Sequence, residues 1–445
     1  MLRAAICLLL ASLAAPLPAI EREPLGVYGQ RREALAAAHP DGVIVLLGYG
    51  EKESQSARSS FRQENNFYYL TGWNEPGAAL LLIPARAGRG DGAEQAGNDY
   101  REVLFLPPDS PSHERWNGAR AAPEDDGIAA LTGVAEVRGA PELESVVSEA
   151  ARNWPRIYTL FPHQESHGLQ PEADRREKVN SLAGGLPLSD IRSHIERLRS
   201  IKSASEVRLI QKAIDASIAA HREAWRKVQP GAFEYELMAV MLQAMTARGC
   251  LRPAYPPIIG SGPNSTALHY STNTRRLAQG ELVLIDVGGE YAHYAADITR
   301  TVPVNGRFTA RQREIHDLVL DVQEKLIARV KPGMTLHGGG PKDLTEMAKT
   351  YFDELGNERA GQPMSQYFIH GVGHHVGLEV HDPADLSRPL EPGMVITIEP
   401  GLYLPEENLG VRIEDMLLVT KDGSRLLSQA LPKDAARIER LMRIR

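Results

Sequence analysis

A chain of 445 residues is too long for one ordinary core and implies two or three domains. Hydrophobic residues make up 42% and charged residues 24%, the balance of a globular protein rather than a disordered or membrane-embedded one. The formal net charge of -7 argues against nucleic acid as the main partner, because binding phosphates calls for a basic field.

The chain opens with a basic start at Arg3, an apolar run from Ala4 to Leu13, and small residues and prolines through Ala19. This is the layout of a secretory signal peptide over residues 1–19, too short to span a bilayer as a permanent helix. Pro16 and Pro18 break the run, which disfavours a buried N-terminal helix. Cleavage at Ala14, Ala15 or Ala19 fits equally. The expectation is an exported protein, periplasmic or secreted, with no membrane span after cleavage. Cys7 lies inside this segment, so Cys250 is the one thiol left and no intramolecular disulfide can form. It reads as a small buried hydrophobe rather than a nucleophile.

Residues 20–190 read as an α/β domain. Short apolar runs at Val43–Leu47, Ala79–Ile83, Val103–Leu106 and Ile157–Leu160 predict strands, with helices between them such as the one around Arg31–Ala38. Arg86–Asn98, rich in Gly and charge, predicts a surface loop. No residue spacing here suits catalysis, so this domain is expected to shape or cover a site elsewhere.

Residues 191–445 have a different texture. Ser203 and Glu206 form a capping box opening a helix that carries Val207, Ile210, Ile214 and Ile218 at helical spacing and runs to about Val228. A second helix is predicted near Tyr235–Arg248, and another pair near Arg311–Val330 and Lys342–Leu355. The pairs point to an internal repeat. Val228-Gln229-Pro230-Gly231 matches Val330-Lys331-Pro332-Gly333. Leu277–Gly288 likewise matches Leu390–Gly401 on the template Leu-x-x-Gly, apolar strand, acid, one residue, Gly.

Each half therefore ends a strand on a carboxylate. A hairpin turning near Tyr291–Ala292 would set Asp286 opposite Asp297. A second hairpin would set Glu399, after Val395–Ile398, opposite Glu414 in Val411–Glu414. Opposed like charges destabilise a sheet, and the apolar residues around Asp286 do not suit an exposed face. One such pair could be a shared-proton dyad or a satisfied structural pair. Two pairs related by a repeat read better as a four-carboxylate cage around cations.

The segment from His370 to Asp382 adds four of the chain's 14 histidines. His370, His374 and His381 are the stronger candidates, because a Gly-rich backbone can approach a buried centre closely. His375 and the isolated His269 carry less weight. The glycines oppose a His-Glu-x-x-His zinc helix. Four carboxylates and one imidazole suit two divalent ions, most naturally manganese, with cobalt or zinc as substitutes. Such ions sit ~3.5–4 Å apart, and a water between them loses a proton near neutral pH to become a nucleophile.

Leu284–Gly288, Asp297–Thr301, His370–Asp382, Glu399–Gly401 and Val411–Asp415 resemble aminopeptidase P, a pita-bread metallopeptidase related to prolidase. Phe61–Gly72 and Trp116–Gly118 resemble that family's N-terminal domain, so the likeness covers nearly all of the chain beyond the signal segment. It implies an N-terminal α/β domain followed by a pita-bread domain with an internally duplicated antiparallel sheet flanked by helices. It implies Asp286, Asp297, His374, Glu399 and Glu414 as ligands of two metal ions, with Asp297 and Glu414 bridging. Glu399 would also accept a proton from the water, His269 and His381 would orient the substrate and stabilise the tetrahedral intermediate, and His370, Tyr403 and Arg412 would line a proline pocket. No ligand position departs from the pattern, unlike the metal-free creatinase branch. The implied activity is release of the N-terminal residue from peptides with proline second, by a homo-dimer or homo-tetramer. A prolidase acting on Xaa-Pro dipeptides, or a non-catalytic binding protein on the same fold, are the alternatives.

Overall fold

The structure, a computed structural model, describes residues 21–51, 61–85, 100–162 and 170–443. The signal-like segment with Cys7 and the Arg86–Asn98 loop lie outside the described residues.

Six strands form the N-terminal sheet: β1 (Val43–Leu47), β2 (Ala79–Pro84), β3 (Tyr100–Leu106), β4 (Glu136–Gly139), β5 (Ile157–Thr159) and β6 (Leu188–Asp190). Their order is β4-β3-β2-β1-β5-β6, antiparallel among β1, β2 and β3 and parallel elsewhere. Central β1 is buried on both faces, which is why its sequence does not alternate with polar residues. Val43 and Val45 join a core with the helix Leu143–Ala151. Ile44 and Leu46 join the other core with Leu35 of the helix Leu25–Ala38. That second core continues without a break into Leu209, Ile210, Val283 and Ile285 of the C-terminal half.

In the C-terminal half the helix Ala204–Lys227 opens on the Ser203–Glu206 capping box, with both reciprocal hydrogen bonds present. It pairs with the helix Glu234–Thr246, and the helices Ala310–Ile327 and Leu344–Arg359 form the second pair. The strands are β7 (Arg252–Pro253), β8 (Ile258–Ser261), β9 (Leu282–Asp286), β10 (Gly289–Tyr291), β11 (Tyr294–Ala295), β12 (Thr299–Pro303), β13 (Val395–Ile398), β14 (Gly401–Leu404), β15 (Leu409–Arg412), β16 (Asp415–Val419) and β17 (Ser424–Leu426). They pair antiparallel as β11-β10-β7, β12-β9-β8, β13-β16-β17 and β14-β15.

The repeat read from sequence is physical. Gly231 N–H donates to the Leu277 carbonyl at 2.9 Å and Leu277 N–H to Ala232 at 2.8 Å. In the second half Gly333 donates to Leu390 at 2.9 Å and Leu390 to Met334 at 2.7 Å. Both Pro-Gly glycines adopt left-handed φ, 91° and 87°, which their position as turn residues requires.

One register differs from the sequence expectation. Asp286 lies opposite Thr299, not Asp297, and the hairpin turns at Ala292–His293 with φ of 49° and 71°. A tight two-residue turn with both φ positive suits strand twist. His293 is held there by stacking on Tyr68, with ring centroids 3.8 Å apart. The displacement is two residues, an even number, so Asp286 and Asp297 keep a common face as diagonal neighbours. In the second half Ile398 faces Asp415 and Gly401 faces Arg412, the expected register. The strand is broken at Glu399 and Pro400, however, so β13 pairs with β16 and β14 with β15. Pro400 has no N–H to continue a ladder.

Candidate metal centre

The two hairpins deliver their acids to one place. Asp286 ends β9, Asp297 precedes β12, Glu399 follows β13 and Glu414 precedes β16. His374 comes from the Gly-rich segment, whose Gly373 packs against the Thr397 backbone so closely that a Cβ would meet its carbonyl oxygen at 2.1 Å. That approach is why glycine stands beside this histidine.

Candidate ligand atoms of Asp297, His374 and Glu414 all lie within 4.8 Å of one another. His374 Nε2 is 3.3 Å from Asp297 Oδ2 and 3.4 Å from Glu399 Oε1, while its Nδ1 bonds to the His375 carbonyl at 3.0 Å. That second bond makes Nδ1 the donor and leaves Nε2 as a lone pair facing the acids. Asp286 joins through Tyr255, whose hydroxyl lies 2.6 Å from Asp286 Oδ1 and 2.5 Å from Asp297 Oδ1. Thr299 donates to Glu414 Oε2 at 2.8 Å, and Thr397 to Glu399 Oε1 at 3.3 Å.

From the acids a chain of contacts leads outward. Arg412 Nη2 is 2.5 Å from Asp286 Oδ2, and its Nη1 donates to Tyr403 Oη at 2.9 Å. Tyr403 Oη is 2.9 Å from His370 Nε2. The His381 ring packs edge-on against His374 with centroids 4.2 Å apart. His269 and His381 are exposed, whereas Asp286, Asp297, Glu414, Tyr403 and Arg412 are buried. Arg412 Nη2 also reaches the Leu268 carbonyl at 3.5 Å, which ties the His269 loop to the same arginine. Nine of the ten residues singled out by sequence thus form one connected group, with the acids inside and His381 at the mouth, and exposed His269 stands beside it, next to Leu268. His375 is not part of it: it is buried, and loss of water pulls its imidazole down to about 4.

The electrostatics favour cations. Burial, together with the charges of Asp286 and Glu399, pushes the Asp297 carboxyl well above its ordinary range. Burial and the charges of Asp297, Glu399 and Asp286 do the same to Glu414. Burial and the neighbouring acids likewise raise the Tyr255 hydroxyl far above a free phenol. Carboxylates this close and this dry ionise together only when positive charge lies among them. The donor set, four carboxylates and one imidazole nitrogen, fits hard or borderline divalent ions.

The sequence pattern of Metallopeptidase family M24 matches residues 208–421, and that of the aminopeptidase P N-terminal domain matches residues 28–158. The Xaa-Pro aminopeptidase of Haemophilus influenzae is 36% identical over 433 residues, covering 93% of this chain and 96% of that one. The chain belongs to the aminopeptidase P family. Among solved members, proline aminopeptidase P II from Yersinia pestis superposes with a TM-score of 0.82 at 31% identity, covering 95% of this chain and 100% of that chain. Zinc-substituted Escherichia coli aminopeptidase P in complex with product gives 0.82 at 29% identity, covering 95% and 99%. As an aminopeptidase P family member the chain is a metallopeptidase with the two-domain mixed α/β architecture of that family.

Tyr255 was not legible from sequence. It sits in Arg252-Pro253-Ala254-Tyr255-Pro256, a segment with no spacing relation to either acid pair. Only the fold brings it between Asp286 and Asp297.

Proposed function

We propose that this chain hydrolyses the bond between an N-terminal residue and a following proline, releasing that residue from the peptide. Asp286, Asp297, His374, Glu399 and Glu414 would hold two divalent ions, with manganese the proposed native metal. Bound there, such cations would polarise the scissile carbonyl and let the attacking water give up a proton near neutral pH.

The chain's own residues do the rest. Glu399 is less enclosed than Asp297 or Glu414 and takes the proton of the attacking water. His381, packed on His374, and His269 at the mouth donate to the carbonyl oxygen as it gains charge. The Arg412–Tyr403–His370 chain gives a rigid wall for proline. The Xaa-Pro linkage has no N–H and a fixed φ, so shape, not a backbone hydrogen bond, must recognise it.

The observation that carries this reading is the single connected group from buried acids to His370 and exposed His381. The test is manganese-loaded protein offered Xaa-Pro-Xaa, Xaa-Pro and Xaa-Ala-Xaa peptides. Release of the first residue from Xaa-Pro-Xaa is expected. Cleavage of the dipeptide alone would assign a prolidase, and intact Xaa-Pro peptides would refute both.

The basic and apolar start of the chain supports export to the periplasm or medium, which cell fractionation would check. Family membership supports a homo-dimer or homo-tetramer, to be read by sedimentation.

A further inference from the structure

The ladders that carry the acids are interrupted where the acids sit. β9 stops at Asp286 and β12 starts at Thr299, while β13 stops at Ile398 and β16 starts at Asp415. Carbonyls at such breaks take further donors from side chains, and that of Ile298 does so although it also accepts the Val287 N–H at 3.2 Å. In the first half, His221 Nε2 lies 3.2 Å from the Val287 carbonyl and 3.1 Å from that of Ile298. In the second, Gln323 Nε2 lies 3.1 Å from both the Ile398 and Ile413 carbonyls. Each bridged residue is the immediate neighbour of an acid: Val287 of Asp286, Ile298 of Asp297, Ile398 of Glu399 and Ile413 of Glu414.

The two bridging side chains occupy corresponding places in the repeat. Each stands ten residues ahead of the Pro-Gly glycine that closes the first helix of its half. Each is fully buried, on a helix packed against the sheet. A carbonyl only accepts, so His221 carries its proton on Nε2, and one N–H spans two strands. Its Nδ1 has no hydrogen-bond partner in the described structure, so the ring's polar contacts are these two carbonyls. Gln323 Nε2 also reaches Asp415 Oδ2 at 3.2 Å, and its Oε1 accepts from Lys433 Nζ at 2.8 Å.

We infer that His221 and Gln323 are a matched pair of positioning residues, each clamping the two backbones that present one pair of metal-binding carboxylates. The inference rests on the two-cation reading of the site. A clamp from behind sets the separation of the two strands and hence of the acids. An outer contact of this kind typically contributes about 10–100-fold to metal affinity or activity.

Chelator-treated protein titrated with manganese, with kinetics on an Xaa-Pro-Xaa peptide, tests it. His221→Leu and Gln323→Met, which keep bulk and lose the donor, are expected to weaken manganese binding about 10–100-fold. They should lower kcat while leaving KM within about twofold, because no substrate contact changes. His221→Gln, which copies the second half's arrangement, should recover manganese affinity to within a few-fold of wild type. A purely packing role would leave the leucine and glutamine variants alike. If either both bind manganese as wild type does, or both are equally impaired, the clamp is refuted while the site reading stands. Should His221→Leu not fold, Gln323→Met against wild type decides by the same criterion. Wild-type protein that takes up no manganese would instead bring down the site reading itself.

Discussion

Two groups of buried carboxylates lie in the C-terminal half, and their chemistry is opposite. Asp382 is 5% exposed and Asp415 0%, much like Asp297 at 5% and Glu414 at 1%, so burial does not separate them. The difference is the company each keeps. Asp382 meets Arg199 Nη2 at 2.7 Å and Lys202 Nζ at 3.0 Å, and Asp415 meets Arg300 at 2.7 Å and Lys433 at 3.2 Å. Burial works to raise Asp382, but Arg199 and Lys202 outweigh it and hold the carboxyl at about 2. Asp297 and Glu414 have other acids for neighbours and are driven the other way. One fold thus contains acids supplied with protein cations, and acids set among other acids, which the proposed metal ions would neutralise.

Substitutions break this contrast in opposite directions. Asp297→Asn should cut manganese affinity and Xaa-Pro-Xaa turnover by more than roughly a hundredfold, a loss beyond that of an outer-contact variant. The same change should stabilise the metal-free protein by about 1–3 kcal/mol in urea melts, because it removes a repelled carboxyl from a dry site. Asp382→Asn should do the reverse. It strands Arg199 and Lys202 and should cost about 3–5 kcal/mol of stability, while manganese stoichiometry stays as in wild type. Equal destabilisation by both variants would end the distinction.

Acid gives a milder version of the second test. The folded value of Asp382 lies below its ordinary 3.8, so its ion pairs stabilise the fold above that pH. The contribution, about 2 kcal/mol, is lost as pH falls from 3.8 through about 2. Asp297 and Glu414 have raised values, so in chelated protein they favour the fold at low pH and weaken it as pH rises above the ordinary carboxylate range. Chelated wild type should therefore lose stability on going from pH 4 to 7 relative to Asp297→Asn, and manganese should abolish that loss. The smallest effect belongs to Tyr255→Phe. It removes one donor shared by Asp286 and Asp297 and should weaken manganese binding by about tenfold.

Much of the site was legible because strand chemistry repeats. An acid at the end of Leu282–Ile285 and another after Val395–Ile398 conflict with their surroundings in a way the sequence alone exposes. The register of the second hairpin followed from the same pattern. The first hairpin's register did not, because its turn at Ala292–His293 depends on Tyr68, more than two hundred residues away in the N-terminal domain. Nor could spacing reveal that Arg199, just before the first long helix, would join Asn66 to Asp382, at 2.8 and 2.7 Å. His221 and Gln323 were hidden for a related reason. Each looks like an ordinary polar residue on an amphipathic helix, and only packing shows that each faces a break in a ladder.

On the proposed reading, two external cations would neutralise these acids. Chelator-treated protein, reloaded with manganese and analysed for metal per chain, tests it most directly. Two ions per chain in the wild type, and fewer in Asp297→Asn, is the predicted result. A wild type that holds none, or an Asp297→Asn variant that holds as many as wild type, would contradict it.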